Sequence, residues 1–425
     1  MFGMTKFILP YGRSRVLIDI PRENVLSILE PSFPEPISDV ERAIVENLEN
    51  PMGMDKLHKL VNSEDKVAIV IDDVTRPLPS KILLPPLISL LKRVGVKRDN
   101  ITIIIATGTH RAITKDEARE LMGDYIASNY NWVNHNCDDN DLIYVGKTSY
   151  GNRVIINRYY VEADFKIVIS DITPHYYAGF GGVYKSIVPG IAGRETINFN
   201  HSMMFDERAD ICNIEDNPVF LDLKEGAKLV GIDFSLAVIL NPKKDILKIF
   251  AGDPDTTFYK GVEFIKSFIA LPIKNKADLV ISSPGEYPFD INFYQAHKGL
   301  FNTEKVVRDD GRIIFIAECS DGFGNSIFYE WLSRFDSYID VMNELKRNFI
   351  LGGHKAYYVL KTVSRYSVDL YTSISSMDVK ELLRMNPIKD VQRAINDYLM
   401  ENRDSTVIIM PYSYETVPII EKRYI

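Results

Sequence analysis

The sequence predicts an α/β fold of two domains, each a mostly parallel sheet covered by helices, with the active site in the cleft between them. Three observations carry this expectation. The chain has 425 residues, more than a single hydrophobic core normally serves. Short runs rich in Val and Ile alternate with longer stretches of helical periodicity, the pattern of parallel strands buried beneath helices. Polar clusters then follow those runs directly, at the strand ends where an open parallel sheet binds its ligands.

The elements follow in order. The opening residues read as a hairpin. KVAIVI (66–71) is a buried strand, and Ser80 to Val94, with Leu83, Leu84, Leu87, Leu90 and Leu91 on one side, is the helix after it. ITIIIA (101–106) is a second strand and KDEARELM (115–122) starts its helix; FKIVIS (165–170) and FSLAVIL (234–240) are the third and fourth strands. A helix over Phe258 to Ile269 precedes LPIKNKADL, whose proline and polar cluster mark a boundary. The expected domains are therefore residues 1–270 and 275–425. In the second, Asp278 to Ser282 and Arg312 to Ala317 are strands, a helix lies near Phe293 to Val307, and Thr406 to Met410 is a late strand that could pair with either domain.

Composition narrows the function. Apolar residues at 46% and charged residues at 25% are those of an ordinary globular protein. A formal charge of -8 gives no basic stripe for nucleic acid. Cys137, Cys212 and Cys319 are too scattered for a disulfide framework or a thiolate metal site, and a cytoplasmic location is expected. No signal-peptide pattern opens the chain, and no apolar run approaches membrane-spanning length.

Four clusters carry the chemistry. IVIDDVTRPLP (69–79) places Asp72, Asp73, Thr75 and Arg76 after the first strand, although this composition also suits a helix cap and turn. IATGTHRAIT (105–114) gathers Thr107, Gly108, Thr109, His110 and Arg111, good material for an anion site. ISDITPHYYAGFGG follows the third strand with Asp171 and His175, and QAHKG in the second domain brings Gln295, His297 and Lys298. His58, His135 and His354 lack such company and read as surface or structural residues. GFGGVYK (179–185) is neither a P-loop nor a dinucleotide fingerprint. A lysine beside glycines can be a phosphate counter-ion or, deprotonated in a sheltered site, a covalent anchor; the residue pattern alone leaves both open.

Five motifs in order, DDVTRPLP, ATGTHRAIT, PHYYAGFGGVYKSIVPGIAG, the NH of NFNHS, and QAHKG, resemble the nickel-pincer lactate racemases and their 2-hydroxyacid racemase and epimerase relatives. They span residues 72–299. The resemblance implies that Lys185 carries a nickel pincer nucleotide, a pyridinium-3-thioamide-5-thiocarboxylic acid mononucleotide, and that His201 is the protein ligand to its Ni(II). It implies hydride transfer from C2 of a 2-hydroxyacid to the cofactor and back, with His110 and His175 as general acid and base for the hydroxyl proton. Arg76, Gln295 and Lys298 would bind the substrate. Asp73 would orient the cofactor or Arg76, and Gly179, Gly181, Gly182 and the Thr107–Gly108–Thr109 loop would approach the cofactor. Cofactor-maturation enzymes are implied as partners. Ala178 stands where lactate-acting members often have serine, which points to an acid larger than lactate. The alternative reading is a two-domain nucleotide-binding protein without nickel-dependent racemase activity.

Overall fold

The computed structural model describes residues 3–347 and 349–421. The chain divides into two compact units, Phe33–Ser267 and a second built from Met1–Ser32 with Phe268–Ile425.

In the Phe33–Ser267 unit a six-stranded sheet runs in the order Ile246–Gly252, Phe234–Leu240, Phe165–Asp171, Val67–Asp72, Ile101–Ala106, Asn131–Asn134. Five strands are parallel, and only the Ile246–Gly252 edge is antiparallel. The central strands are aliphatic throughout, as burial on both faces requires: Val67, Ile69, Ile71, Ile103, Ile105, Ile167 and Ile169 all belong to one core. The Ser80–Val94 helix covers it with Leu83, Leu84, Leu87 and Leu91, each fully buried. It stops at Gly95, whose φ of 101° suits a residue without a Cβ. The Lys115–Met122 helix starts on a reciprocal capping box between Thr114 and Glu117. Because the strand order reverses direction between Val67–Asp72 and Phe165–Asp171, the sheet has a topological switch point there. Connections leave those two neighbouring strands toward opposite sides and open a crevice beyond their carboxyl ends.

The second unit has its own six-stranded parallel sheet, ordered Asn386–Pro387, Ser367–Tyr371, Val307–Ile316, Ala277–Ser282, Val407–Met410, Val25–Ile28. This corrects the expected domain of residues 1–270. Val25 pairs with Val407, and Leu29 donates its N–H to the Ile409 carbonyl at 2.8 Å. The Met4–Tyr11 and Ser14–Pro21 hairpin sends Phe7, Leu9, Ile18 and Ile20 into the core of Leu279, Ile281, Ile314 and Ile409. Parallel pairing across almost the whole chain leaves no local trace in the sequence. The late strand pairs in this unit, flanked by Ala277–Ser282 and Val25–Ile28. No helix among the described residues is long and apolar enough to cross a membrane.

Candidate active site

The switch point of the Phe33–Ser267 unit is where the chemistry collects. Val67–Asp72 ends in Asp72 and runs on into Asp73, while Phe165–Asp171 ends in Asp171. Ile71 is level with Ile169 on the neighbouring strand, so both strands end at the same edge of the sheet. Each acid closes a run of buried aliphatic residues, which is why carboxylates here face a loop-lined crevice rather than the core.

Asp73 is 2% exposed and engages His110, with its Oδ2 2.8 Å from Nδ1. Its Oδ1 accepts from the Thr75 N–H at 3.1 Å and the Thr75 hydroxyl at 2.5 Å. A carboxylate can only accept, so His110 donates from Nδ1, and in the neutral ring Nε2 keeps the lone pair. Burial pushes the Asp73 carboxyl up, but the hydrogen bonds from His110 and Thr75 outweigh burial and hold it below its ordinary range. Asp73 therefore holds His110 in one orientation.

His175 lies on a two-residue strand, Pro174–His175, paired with Gly179–Phe180. Its Nδ1 accepts from the Ala178 N–H at 3.3 Å, which places the proton of the neutral ring on Nε2. The two candidate acid–base residues thus hold opposite tautomers: His110 offers a basic Nε2, His175 a protonated one. Tyr177 stands edge-on to His175 at 4.5 Å between ring centroids and to His201 at 5.6 Å, linking the two imidazoles through one ring.

His201 sits in the last turn of the Arg194–Ser202 helix and donates Nδ1–H to the Ile197 carbonyl at 2.8 Å. That bond fixes the tautomer with its lone pair on Nε2. Burial, then the nearby Lys185 charge, lowers its pKa to about 4, so the imidazole is neutral across physiological pH. Lys185 follows the glycine turn; its N–H bonds the Gly182 carbonyl at 2.8 Å and its carbonyl accepts from Gly190 at 3.1 Å. Burial and the Arg76 charge lower the amine to about 7, against the opposing pull of Asp72, Asp171 and Asp73. Arg76 in turn supports the charge of Asp72 and Asp171, a neighbourhood that the sequence reading as a substrate fork did not include.

The glycines of the turn sit close to neighbouring backbone. A Cβ on Gly179, at φ +74°, would collide with the Asn213 carbonyl, and one on Gly182, at φ +98°, would lie 2.8 Å from the Asp171 carbonyl. Both positions are explained by protein backbone packing against protein backbone. Gly179→Ala is accordingly expected to lower stability by at least about 2 kcal/mol, read as a fall in Tm; an unchanged Tm would contradict the packing. Gly181 is more open, its nearest neighbour being the Thr173 methyl at 3.4 Å. Gly108, at φ +54°, gives its N–H to the Gly190 carbonyl at 2.9 Å and ties the 107–110 turn to the lysine loop. Thr107 is 1% exposed and its hydroxyl donates to the His135 carbonyl, so that side chain serves the turn; Thr109 is half-buried beside it. Ala178 is fully buried.

In the second unit the Phe293–Thr303 helix carries Gln295 and Lys298. Gln295 gives its backbone N–H to the Asn292 cap at 3.1 Å, and Lys298 donates Nζ to the Tyr414 hydroxyl at 2.9 Å. Among the described residues, no three His, Cys, Asp or Glu side chains converge to hold a metal ion.

Three imidazoles, each held in one orientation by a hydrogen bond, and a buried lysine with a lowered pKa stand in this unit, side chains that suit an α/β enzyme. The particular family follows from comparison. Residues 11–212 match the lactate racemase N-terminal domain and residues 273–417 the lactate racemase C-terminal domain. The chain is 32% identical to the lactate racemase of Thermoanaerobacterium thermosaccharolyticum and 31% to that of Lactiplantibacillus plantarum, in each case over 96% of this chain and 98% of the relative. Its structure superposes on the T. thermosaccharolyticum lactate racemase apoprotein with a TM-score of 0.88 at 31% identity, covering 98% of this chain and 100% of that one. A Thermotoga maritima protein, 18% identical with a TM-score of 0.64 over 92% of this chain and 100% of its own, shares the fold. The chain belongs to the lactate racemase family and is an isomerase of the racemase class.

Proposed function

We propose that this protein interconverts the enantiomers of a 2-hydroxyacid, with lactate as the substrate, in the cytoplasm. The observation that carries the reading is the joint presence, at one switch point, of Lys185 with a pKa near 7 and of two histidines whose Nε2 atoms hold opposite protonation states. Lactate enters because both curated relatives are lactate racemases at 31–32% identity over nearly full length; on this reading the buried Ala178 does not exclude it.

The residues fit the nickel pincer nucleotide that the motifs imply. An amine near neutral pKa is available for acylation, and one neutral imidazole with its lone pair on Nε2 is a fitting single protein ligand where an organic group supplies the others. Lys185 would hold the nucleotide and His201 the Ni(II). When bound, the group supplies an electrophilic pyridinium carbon that accepts and returns hydride.

The protein's own part concerns protons and position. Removing hydride from C2 requires the hydroxyl proton to leave as well, and His110 Nε2 takes it while the Asp73 carboxylate stabilises the resulting imidazolium. Protonation of the flat 2-oxoacid oxygen falls to His175, whose Nε2 carries a proton. In the reverse direction the two roles exchange. Arg76, Gln295 and Lys298 are assigned to the substrate carboxylate and hydroxyl, and Gly181, Gly108 and Thr109 to the approach of the nucleotide; Thr107, Gly179 and Gly182 support those loops from behind. Protein produced together with cofactor-maturation enzymes should convert pure L-lactate to the racemate, followed by chiral chromatography. Absence of D-lactate from protein that carries nickel would remove lactate as the substrate. Arg76→Lys is expected to raise the Michaelis constant about tenfold or more with nickel content retained, because an ammonium cannot form the two-pronged carboxylate contact. Unchanged kinetics would take Arg76 out of the substrate site.

A further inference from the structure

His201 is the second residue of the NH pair in NFNHS, and the structure gives the first a task of its own. Asn200 is 1% exposed, and its Nδ2 donates to Asp222 Oδ2 at 2.9 Å and to the Val219 carbonyl at 3.0 Å. Asp222 is fully buried on the Pro218–Val230 helix, and its two oxygens carry different loads. Oδ2 accepts from Asn200 and, at 2.8 Å, from Asn152 Nδ2, which also donates to the Thr196 carbonyl at 3.2 Å. Oδ1 accepts the Thr148 hydroxyl at 2.7 Å. Thr196 and Asn200 stand one turn apart on the Arg194–Ser202 helix, on the same face. One carboxylate oxygen therefore grips two successive turns of the helix that carries His201. An amide at this position could not replace the carboxylate, because it has one acceptor oxygen where donors arrive at two.

Two points of attachment along one face hold a helix against rotation about its own axis. That rotation decides where His201 points, since its Nδ1 is tied to Ile197 within the same helix and the ring turns with it. A side-chain atom roughly 6 Å from a helix axis moves about 2 Å in a rotation of about 20°, a displacement that a metal–nitrogen bond of about 2 Å does not tolerate. Burying a carboxylate beneath neutral donors is costly compared with apolar packing, and what it supplies here is a fixed position. We propose that Asp222, acting through Asn200 and Asn152, sets the rotation of the Arg194–Ser202 helix and thereby aims His201 Nε2, an inference whose consequence for the metal rests on the ligand role proposed for His201. Asp222 and Asn200 are positioning residues.

Asn200→Leu removes the direct link and keeps the bulk of the side chain, whereas Thr148→Val removes the donor at the opposite oxygen. Both substitutions should lower Tm, but the first alone should move His201. In full-length protein made without maturation enzymes, the His201 ring protons, assigned by their absence from His201→Gln, should show nuclear Overhauser contacts to the Tyr177 ring, whose centroid is 5.6 Å away. Asn200→Leu is expected to lose those contacts and Thr148→Val to keep them. In protein matured to carry the Lys185 adduct, nickel release into excess EDTA should be at least about tenfold faster for Asn200→Leu than for the wild type, with the adduct mass unchanged, and unaltered for Thr148→Val. Retained His201–Tyr177 contacts in Asn200→Leu, or equal effects of the two substitutions, would overturn the proposal. Should Asn200→Leu fail to fold, Asn200→Ser, whose hydroxyl is too short to reach Asp222, is read by the same outcomes. A His201→Gln protein that holds nickel as firmly as the wild type would refute the ligand role, while the Overhauser contacts would still decide what aims the ring.

Discussion

Lys185→Ala, produced together with maturation enzymes, is expected to purify as a folded protein with the unmodified mass, nickel near background and racemase activity reduced by at least about a thousandfold. The size of the effect follows from what the amine does. A nucleotide held only by loop contacts has a finite residence time, whereas one bonded to the chain does not dissociate. Lys185→Arg separates attachment from charge: a guanidinium keeps the cation beside Asp171 but cannot be acylated, so it should fail as completely as alanine. Intact-mass spectrometry and metal analysis on the same samples make the comparison. Retained nickel in Lys185→Ala would mean that His201 and the loops suffice to hold the group.

His110→Ala should fail differently. Its side chain reaches Asp73 and Thr75, and no part of it is assigned to the anchor, so nickel and the mass adduct should match the wild type. Turnover should fall by about 100- to 10,000-fold, the usual contribution of a positioned acid–base group. For any racemase the equilibrium constant is fixed at unity by symmetry, so kcat/KM must fall equally in the two directions, while kcat and KM are free to split unequally. Since His110 and His175 begin with opposite tautomers, an unequal split is expected. Full activity in both directions would exclude His110 as the base.

The two effects come from different depths of the sequence. The sheet strands were readable because burial on both faces selects Val and Ile: Ile101–Ala106 and Phe234–Leu240 have the bounds their aliphatic runs suggest, as do the Ser80–Val94 and Lys115–Met122 helices. The antiparallel Ile246–Gly252 edge was missed; ILKIFAG carries a lysine and follows a short polar turn. The N-terminal hairpin and Val25–Ile28 were assigned to the wrong unit, since their partners lie hundreds of positions away. Within the site, the histidines and the lysine stood out by residue type. The Asp73–His110 bond did not, because two loops from separate strands make it. The closeness of Gly179 to Asn213 and of Gly182 to Asp171 leaves no trace in the sequence either, since the loops that meet there are separate in the chain. Asp72 and Asp171 did leave a signal, an acid at the end of each of two aliphatic runs, VAIVID and FKIVISD. Its meaning needed the strand order, which makes those two strands neighbours at the switch point.

The most direct test of the proposed chemistry is racemisation of L-lactate carrying protium at C2, run in D2O with nickel-loaded protein and stopped early. If the C2 hydrogen leaves as hydride, is held within the site and returns to the opposite face, the D-lactate formed will retain protium at C2, by mass spectrometry and proton NMR. D-lactate that carries solvent deuterium at C2 would mean that His110 and His175 exchange a carbon-bound proton, contradicting their assignment to the hydroxyl.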